Sequence, residues 1–140
     1  MPESDVVWIS TRLKELRGAR FAVTLAPNGS NIDSYRHLAT HLNDADALDM
    51  IGQQFYDDVV TPEVAVSRVG QLVADGIPQS KIGVGMMVGD GDTYWTVEEC
   101  VTAVERIKAT YPGIRGGYLW EASRAGTSEW SERLSEVLRG

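Results

Sequence analysis

Hydrophobic positions recur along the chain in two alternating rhythms. Val6, Val7, Ile9, Leu13 and Leu16 fall at helical spacing between Ser4, a candidate N-cap, and Gly18, a candidate stop, so the chain opens with a helix. Arg20 to Ala26 is instead a short apolar run ended by Pro27-Asn28-Gly29, which predicts a buried strand followed by a turn. Helical spacing returns through Ile32, Tyr35, Leu38 and Leu42. Leu48 to Tyr56 predicts a second strand, and Thr61-Pro62-Glu63 supplies an N-cap and a first-turn proline for a helix stopping at Gly76. Lys81 to Val88 predicts a third strand; Thr96 and Glu99 form a capping box that opens a helix to Thr110. Ile114 to Trp120 predicts the last strand, and Ser128 to Leu138 a closing helix.

The predicted strands start at Arg20, Leu48, Lys81 and Ile114. That is a period of about 30 residues, the length of one strand-plus-helix unit. The expectation is an α/β fold with a parallel (βα)4 arrangement and an extra N-terminal helix, its strands near 20–26, 48–56, 81–88 and 114–120. No strand runs into a glycine-rich phosphate loop and helix, which weakens a doubly wound nucleotide-binding sheet. Gly83, Gly85 and Gly89 read as small-residue packing. The other architecture made of identical units is the eight-stranded barrel, and four units are half of one.

At 140 residues the chain has the size of a single domain, 1–140, with no room for a second full-sized one. Its 43% hydrophobic content supports a packed core, while a net charge of -7 opposes phosphate backbones and anionic membranes. No nucleic-acid or membrane partner is expected. The acidic start, Met1-Pro2-Glu3-Ser4-Asp5, lacks the basic and apolar regions of a signal peptide, so a cytoplasmic location as synthesised is expected, with release inside an assembly as the exception. The single Cys100 shares the apolar phase of Val97, Val101 and Val104 and reads as a buried structural thiol.

In parallel sheets, sites form where strands end. Those ends carry Pro27-Asn28, then Gln53 to Asp58, then Asp90, Asp92, Tyr94 and Trp95, then Trp120-Glu121. Aromatic faces stack on sugar rings while carboxylates and amides accept hydroxyl hydrogen bonds, so the mixture suits a neutral carbohydrate. The competing explanation has Tyr94 and Trp95 anchoring a helix start and Trp120 filling core. His37 and His41 stand four apart on one helix, but Leu38 occupies the place of the glutamate that a zinc hydrolase helix needs. Asp90-Gly91-Asp92 opens like a calcium loop, yet Tyr94 and Trp95 fall where an oxygen ligand and the turn glycine belong. No metal or cofactor is expected, and no Gly-x-Ser-x-Gly elbow supports acyl transfer.

Phe21-Ala-Val-Thr-Leu-Ala-Pro27, Leu48 to Asp58, Lys81-Ile-Gly-Val-Gly85 and Gly116-Gly-Tyr-Leu-Trp120 resemble, in order, strands five to eight of glycoside hydrolase family 18, with plant class III, hevamine-like chitinases as the nearest flavour. In that family the substrate's N-acetyl group is the nucleophile and a strand-four glutamate protonates the leaving oxygen. The resemblance implies that Tyr56 assists the N-acetyl group and Trp120 floors the sugar site, with Gln54 pointing into the barrel and Asp57 and Glu121 beside them. The Asp-x-x-Asp-x-Asp-x-Glu motif that carries the acid is absent; Asp44, Asp46 and Asp49 have the wrong spacing, and Glu121 is the only carboxylate to nominate in its place.

The resulting expectation is a glycosidase-derived, non-catalytic carbohydrate-binding or structural component, since a missing general acid removes roughly 100- to 10,000-fold of rate. The alternatives are a chitinase or cell-wall glycosidase completed by a partner chain, and a structural subunit of a large assembly such as a virus particle. The expected ligand is a glycan containing N-acetylglucosamine. A half-barrel also has two open edges and an inner face, expected to include Val23, Leu25 and Met86. A homo-oligomer, a partner chain or the first helix is expected to cover them.

Overall fold

The computed structural model describes residues 1–56, 61–87, 95–119 and 129–139. Helix α1 (Glu3–Arg17) leads into a 3-10 turn at Gly18–Arg20. Four strand-and-helix units follow: β1 (Thr24–Leu25) and α2 (Ile32–Asp44), β2 (Met50–Gln54) and α3 (Pro62–Ala74), β3 (Ile82–Met86) and α4 (Val97–Thr110), β4 (Gly116–Leu119) and α5 (Glu129–Arg139). The sheet is parallel throughout and its spatial order is its chain order, β1-β2-β3-β4. This is the α/β half-barrel that the spacing of apolar runs predicts.

Local chemistry sets several helix ends. Thr61 Oγ1 accepts from Val64 N with Pro62 at the first helical position, and Thr96 and Glu99 bond reciprocally as a capping box. Such caps contribute about 1 kcal/mol each. Gly18 stops α1 with φ +69°, in the left-handed region that favours glycine. The other end of α1 departs from expectation: Pro2, not Ser4, occupies the N-cap, and Ser4 lies inside the helix. Proline there fixes φ near the value a helix entry needs. The first strand is also much shorter than Arg20 to Ala26, because only Thr24 and Leu25 find ladder partners, at Met50 and Ile51.

Register assigns each strand residue to one of two faces. Leu25, Ile51 and Ile82 lie in register, as do Gln53, Val84 and Gly117, and Met86 with Leu119. This is the helix side. Ile51, Ile82, Val84 and Met86 are fully buried there, among Leu42, Leu72, Val104, Ile107 and Leu134 of the helices. Each such side chain stabilises the fold by roughly 1.5–3 kcal/mol through burial. Val23, Leu25 and Met86, expected from the sequence to line the inner face, therefore do not. They pack on the helix-side core, because a continuous apolar run carries no alternation from which to read its face.

The inner face is built from Thr24, Met50, Gly52, Gln54, Gly83, Gly85, Gly116 and Tyr118, each in register with its neighbours. Ala22, Thr24 and Ala26, at the same parity in the first unit, are exposed. The Tyr118 ring lies flat across this face. A Cβ built on Gly52 would sit 2.8 Å from Tyr118 Oη, and one on Gly85 would sit 2.5 Å from it, so both positions need glycine to admit the ring. Tyr118 Oη donates to Gly52 O at 2.8 Å.

Candidate functional site

Strand ends on the inner side are the place to build a site, because the loops there converge while the sheet stays rigid. At the end of β2, Gln54 N donates to Pro27 O at 2.8 Å and Phe55 N to Gly85 O at 2.8 Å, so the backbone stays extended past the strand proper. That extension carries the alternation onward: Gln54 and Tyr56 fall on the inner side with Gly52, while Gln53 and Phe55 fall on the helix side. Phe55 is fully buried in the core. Gln53 is fully buried too, with Nε2 donating to Pro27 O at 3.4 Å and Gln54 O at 3.1 Å; its Oε1 has no hydrogen-bond partner among the described residues.

Tyr56 and Tyr118 form the centre of the inner side. Burial, and secondarily the neighbouring Tyr56 phenol, push the Tyr118 phenol up to about 12. Tyr118 is thus a neutral hydroxyl at any physiological pH, a hydrogen-bonding group and not a proton acceptor. Tyr56 is itself only 3% exposed. Little of its surface is therefore open to a ligand hydroxyl or amide. Gln54 is half-buried beside it. At the opposite, N-terminal end of the same face, Met50, Gly83, Arg115 and Gly116 line a shallow depression of about 220 Å³ behind Tyr118.

The described carboxylates stand away from this centre. Asp49 precedes β2 at the wrong end of the sheet. Burial alone would raise its carboxyl, but hydrogen bonds from Lys14 Nζ at 2.8 Å and Val23 N at 2.7 Å outweigh it and hold the group below the usual carboxylate range. An acid held ionised cannot protonate a leaving group. Asp75 is lowered chiefly by its two hydrogen bonds from Arg36, at 2.5 and 2.8 Å, on the outside between α2 and α3. Both are structural ion pairs.

Three sequence-based candidates take definite places. Trp95 is 5% exposed, belongs to the core and donates its backbone N–H to Met87 O at 2.9 Å, so it anchors the start of α4 and offers no stacking face. Cys100 is buried, its thiol pushed up to about 12 by desolvation and then by Glu99, which is the environment of an inert cysteine. His41 Nδ1 lies 3.2 Å from Glu3 Oε2 at the contact of α1 with α2, and no group of three or more metal-ligating side chains occurs among the described residues. Asp57, Asp90, Asp92, Tyr94, Trp120 and Glu121 lie outside the described residues. Tyr118 is the site residue that sequence reasoning missed. Its signal was there in the glycines: Gly52 and Gly85 on adjacent strands mark space kept clear for something large.

The four parallel units and a ring-filled inner face can now be compared with known folds. No family model and no curated protein matches the sequence. Among solved structures, a fungal endo-beta-N-acetylglucosaminidase from glycosyl hydrolase family 18 is similar at 22% identity over 99% of this chain and 53% of its own, with a TM-score of 0.78. The catalytic domain of a family 18 chitinase from the fern Peteris ryukyuensis is similar at 15% identity over 99% of this chain and 51% of its own, with a TM-score of 0.74. The fold is similar to half of a family 18 catalytic domain. This half-domain spans about half the length of the structures it matches, so the likeness fixes the architecture, and the chemistry has to be argued from side chains. Among the described residues, no helix of this half-domain is long and apolar enough to cross a membrane.

Proposed function

We propose that the inner side of the strand ends receives a glycan containing N-acetylhexosamine, and that the chain by itself binds this ligand without cleaving it. The observation that carries the reading is the meeting of Gln54, Tyr56 and Tyr118 on one face at one end of the sheet. An amide and phenol hydroxyls against an aromatic floor are what an acetamido sugar uses: hydrogen bonds for the amide, ring contact for the C–H face. The two structures of similar fold are an endo-beta-N-acetylglucosaminidase and a chitinase, which points to the same ligand class. Asp57, Trp120 and Glu121, next along the chain at strand ends, complete the proposed contact set, with Trp120 as the stacking platform.

Binding without cleavage follows from the acids. Asp49 is ionised and at the far end, and the 140 residues contain no Asp-x-x-Asp-x-Asp-x-Glu pattern. Among the described residues no carboxylate faces the site, so hydrolysis would require Glu121 or an acid from another chain to serve. Because so little of Tyr56 is exposed, binding is expected to be weak, in the millimolar range, or about 4 kcal/mol. Calorimetric titration of N-acetylglucosamine oligomers into wild type, Trp120→Ala and Tyr56→Phe tests the reading. Five- to hundredfold loss in the Trp120 variant, on the order of 1–3 kcal/mol, is expected, with circular dichroism confirming the fold. A folded wild type that takes up no sugar at millimolar concentration removes the glycan reading. Turnover by the isolated chain, abolished by Glu121→Gln, would identify Glu121 as a general acid and overturn binding without cleavage.

A further inference from the structure

Two backbone carbonyls at the C-terminal end of β2 point toward β1 and meet no β1 donor among the described residues. In a parallel ladder, alternate residues turn both N–H and C=O to the same neighbouring strand. Gln54 N donates to Pro27 O and Phe55 N to Gly85 O, each at 2.8 Å, so Gly52 and Gln54 face β1 while Phe55 faces β3. Pro27 stands between the two β1-facing residues. Its carbonyl takes Gln54 N, but a proline nitrogen has no hydrogen to give to Gly52 O. The next donor along the ladder would be Gly29, and the chain has already left the sheet there. Asn28 N donates to Asn31 Oδ1 at 2.9 Å and Asn28 Oδ1 accepts from Ser30 N at 3.2 Å, which closes a turn over 29–31.

Side chains supply both rungs. Tyr118 Oη donates to Gly52 O at 2.8 Å from the inner side. From the helix side, Gln53 Nε2 donates to Gln54 O at 3.1 Å and reaches Pro27 O at 3.4 Å. Gln53 is out of character with its surroundings. It lies in register with Val84 and Gly117, on the same face as the fully buried Ile51 and Phe55, and among the described residues it is the only polar side chain with no exposed surface. Its Oε1 has no hydrogen-bond partner there, so the two carbonyls are the groups that account for an amide in the core. An amide held at a core position with its oxygen unpaired lowers stability, and such a group calls for a local reason. The rung to Gln54 is that reason.

We infer that Gln53 is a positioning residue: its side-chain amide replaces the rung that Gly29 would make, and so fixes the backbone of Gln54 and the turn at 27–31 at the rim of the strand-end site. Gln54 is one of the residues assigned to the sugar, so the binding half of the test rests on the glycan reading, while the backbone half does not. Amide hydrogen exchange is followed by NMR in wild type, Gln53→Leu and Gln53→Met, and N-acetylglucosamine oligomers are then titrated calorimetrically into each. Both substitutions keep most of the volume and remove the donor; Gln53→Met, nearer in shape, carries the comparison should Gln53→Leu fail to fold. In wild type the side-chain amide protons of Gln53 should exchange more slowly than those of the exposed Gln71. In the variants the Gln54 and Asn28 amides should exchange about tenfold faster, the effect of one lost hydrogen bond. Exchange in β3 and the urea midpoint should change little, because the unpaired oxygen leaves together with the donor. Sugar should bind about fivefold more weakly as the site loses its preorganisation. Unchanged exchange at Gln54 overturns the inference, and so does faster exchange throughout β3 with a fallen midpoint, which would mark Gln53 as ordinary packing. Local loosening with unchanged sugar affinity overturns the positioning role. A wild type that takes up no sugar removes the glycan reading alone, and the exchange comparison then decides by itself whether Gln53 holds Gln54.

Discussion

On the helix side of the sheet, Ile51, Ile82, Val84 and Met86 are fully buried beneath α2 to α5, whereas the inner side carries Gly52, Gly83, Gly85 and Gly116 with the Tyr118 ring laid over it. The first face is finished by the chain's own helices. The second, which in a closed barrel meets the other half, is filled by one local side chain over glycines. The sheet thus avoids presenting a broad greasy wall to solvent, and the large exposed hydrophobic residues within the described elements, Trp8, Ile9, Leu13 and Leu16, all lie on α1. The two faces contribute differently. The helix side holds the fold, and the inner side holds the proposed site.

The strongest way to break this contrast is to truncate one residue on each face at adjacent positions of β2. Ile51→Ala leaves a cavity in a fully buried site and should cost about 2–5 kcal/mol. Met50→Ala, at a half-buried inner position, should cost clearly less than its neighbour. Urea denaturation followed by circular dichroism measures both. Equal losses would mean that the inner face is a second core.

A smaller effect tests whether Tyr118 is what the glycines accommodate. Gly85→Ala places a methyl against the ring, and overpacking of this kind costs about 1–3 kcal/mol. In a Tyr118→Ala background the same change should cost almost nothing, because the obstacle is gone. The coupling between the two substitutions in a double-mutant cycle is the readout, and additivity would show that the ring and Gly85 are independent.

What could be read in advance was local. The Thr96 and Glu99 box, Pro62 after Thr61, and the Gly18 stop act over one turn of chain, so sequence alone locates them. The repeat of strand and helix was equally plain in the spacing of apolar runs. Face assignment was not, since Phe21 to Ala26 is apolar at nearly every position and only pairing with β2 shows that Val23 and Leu25 turn toward the helices. Tyr118 was hidden for a related reason: its place depends on Gly52 and Gly85, 66 and 33 positions earlier, which only the sheet brings beneath it. The first helix was legible as a helix, but only the structure shows that Val7 and Ser10 turn toward the rest of the chain while Ile9, Leu13 and Leu16 stay exposed.

The mildest probe is Tyr118→Phe, which keeps the ring and deletes only the hydroxyl that donates to Gly52 O at 2.8 Å. Loss of one such hydrogen bond costs about 0.5–1.5 kcal/mol, below either preceding substitution, so packing and hydrogen bonding on the inner face separate cleanly. Its pH dependence adds a signature that packing alone would not give. The folded phenol titrates at about 12, above its ordinary 10.0, so the native state holds the proton more tightly than the unfolded chain. That contribution to stability is complete below pH 10 and is lost as pH rises toward 12. Cys100, pushed up from 9.0 to about 12, adds a loss of the same sign in both proteins. Denaturant midpoints measured from pH 8 to 11 should therefore fall more gently in Tyr118→Phe than in wild type, and the gap between the two should narrow at the alkaline end. Parallel curves would mean that the hydroxyl is as open to water in the folded chain as in the unfolded one, and that the inner face is wet where Tyr118 covers it.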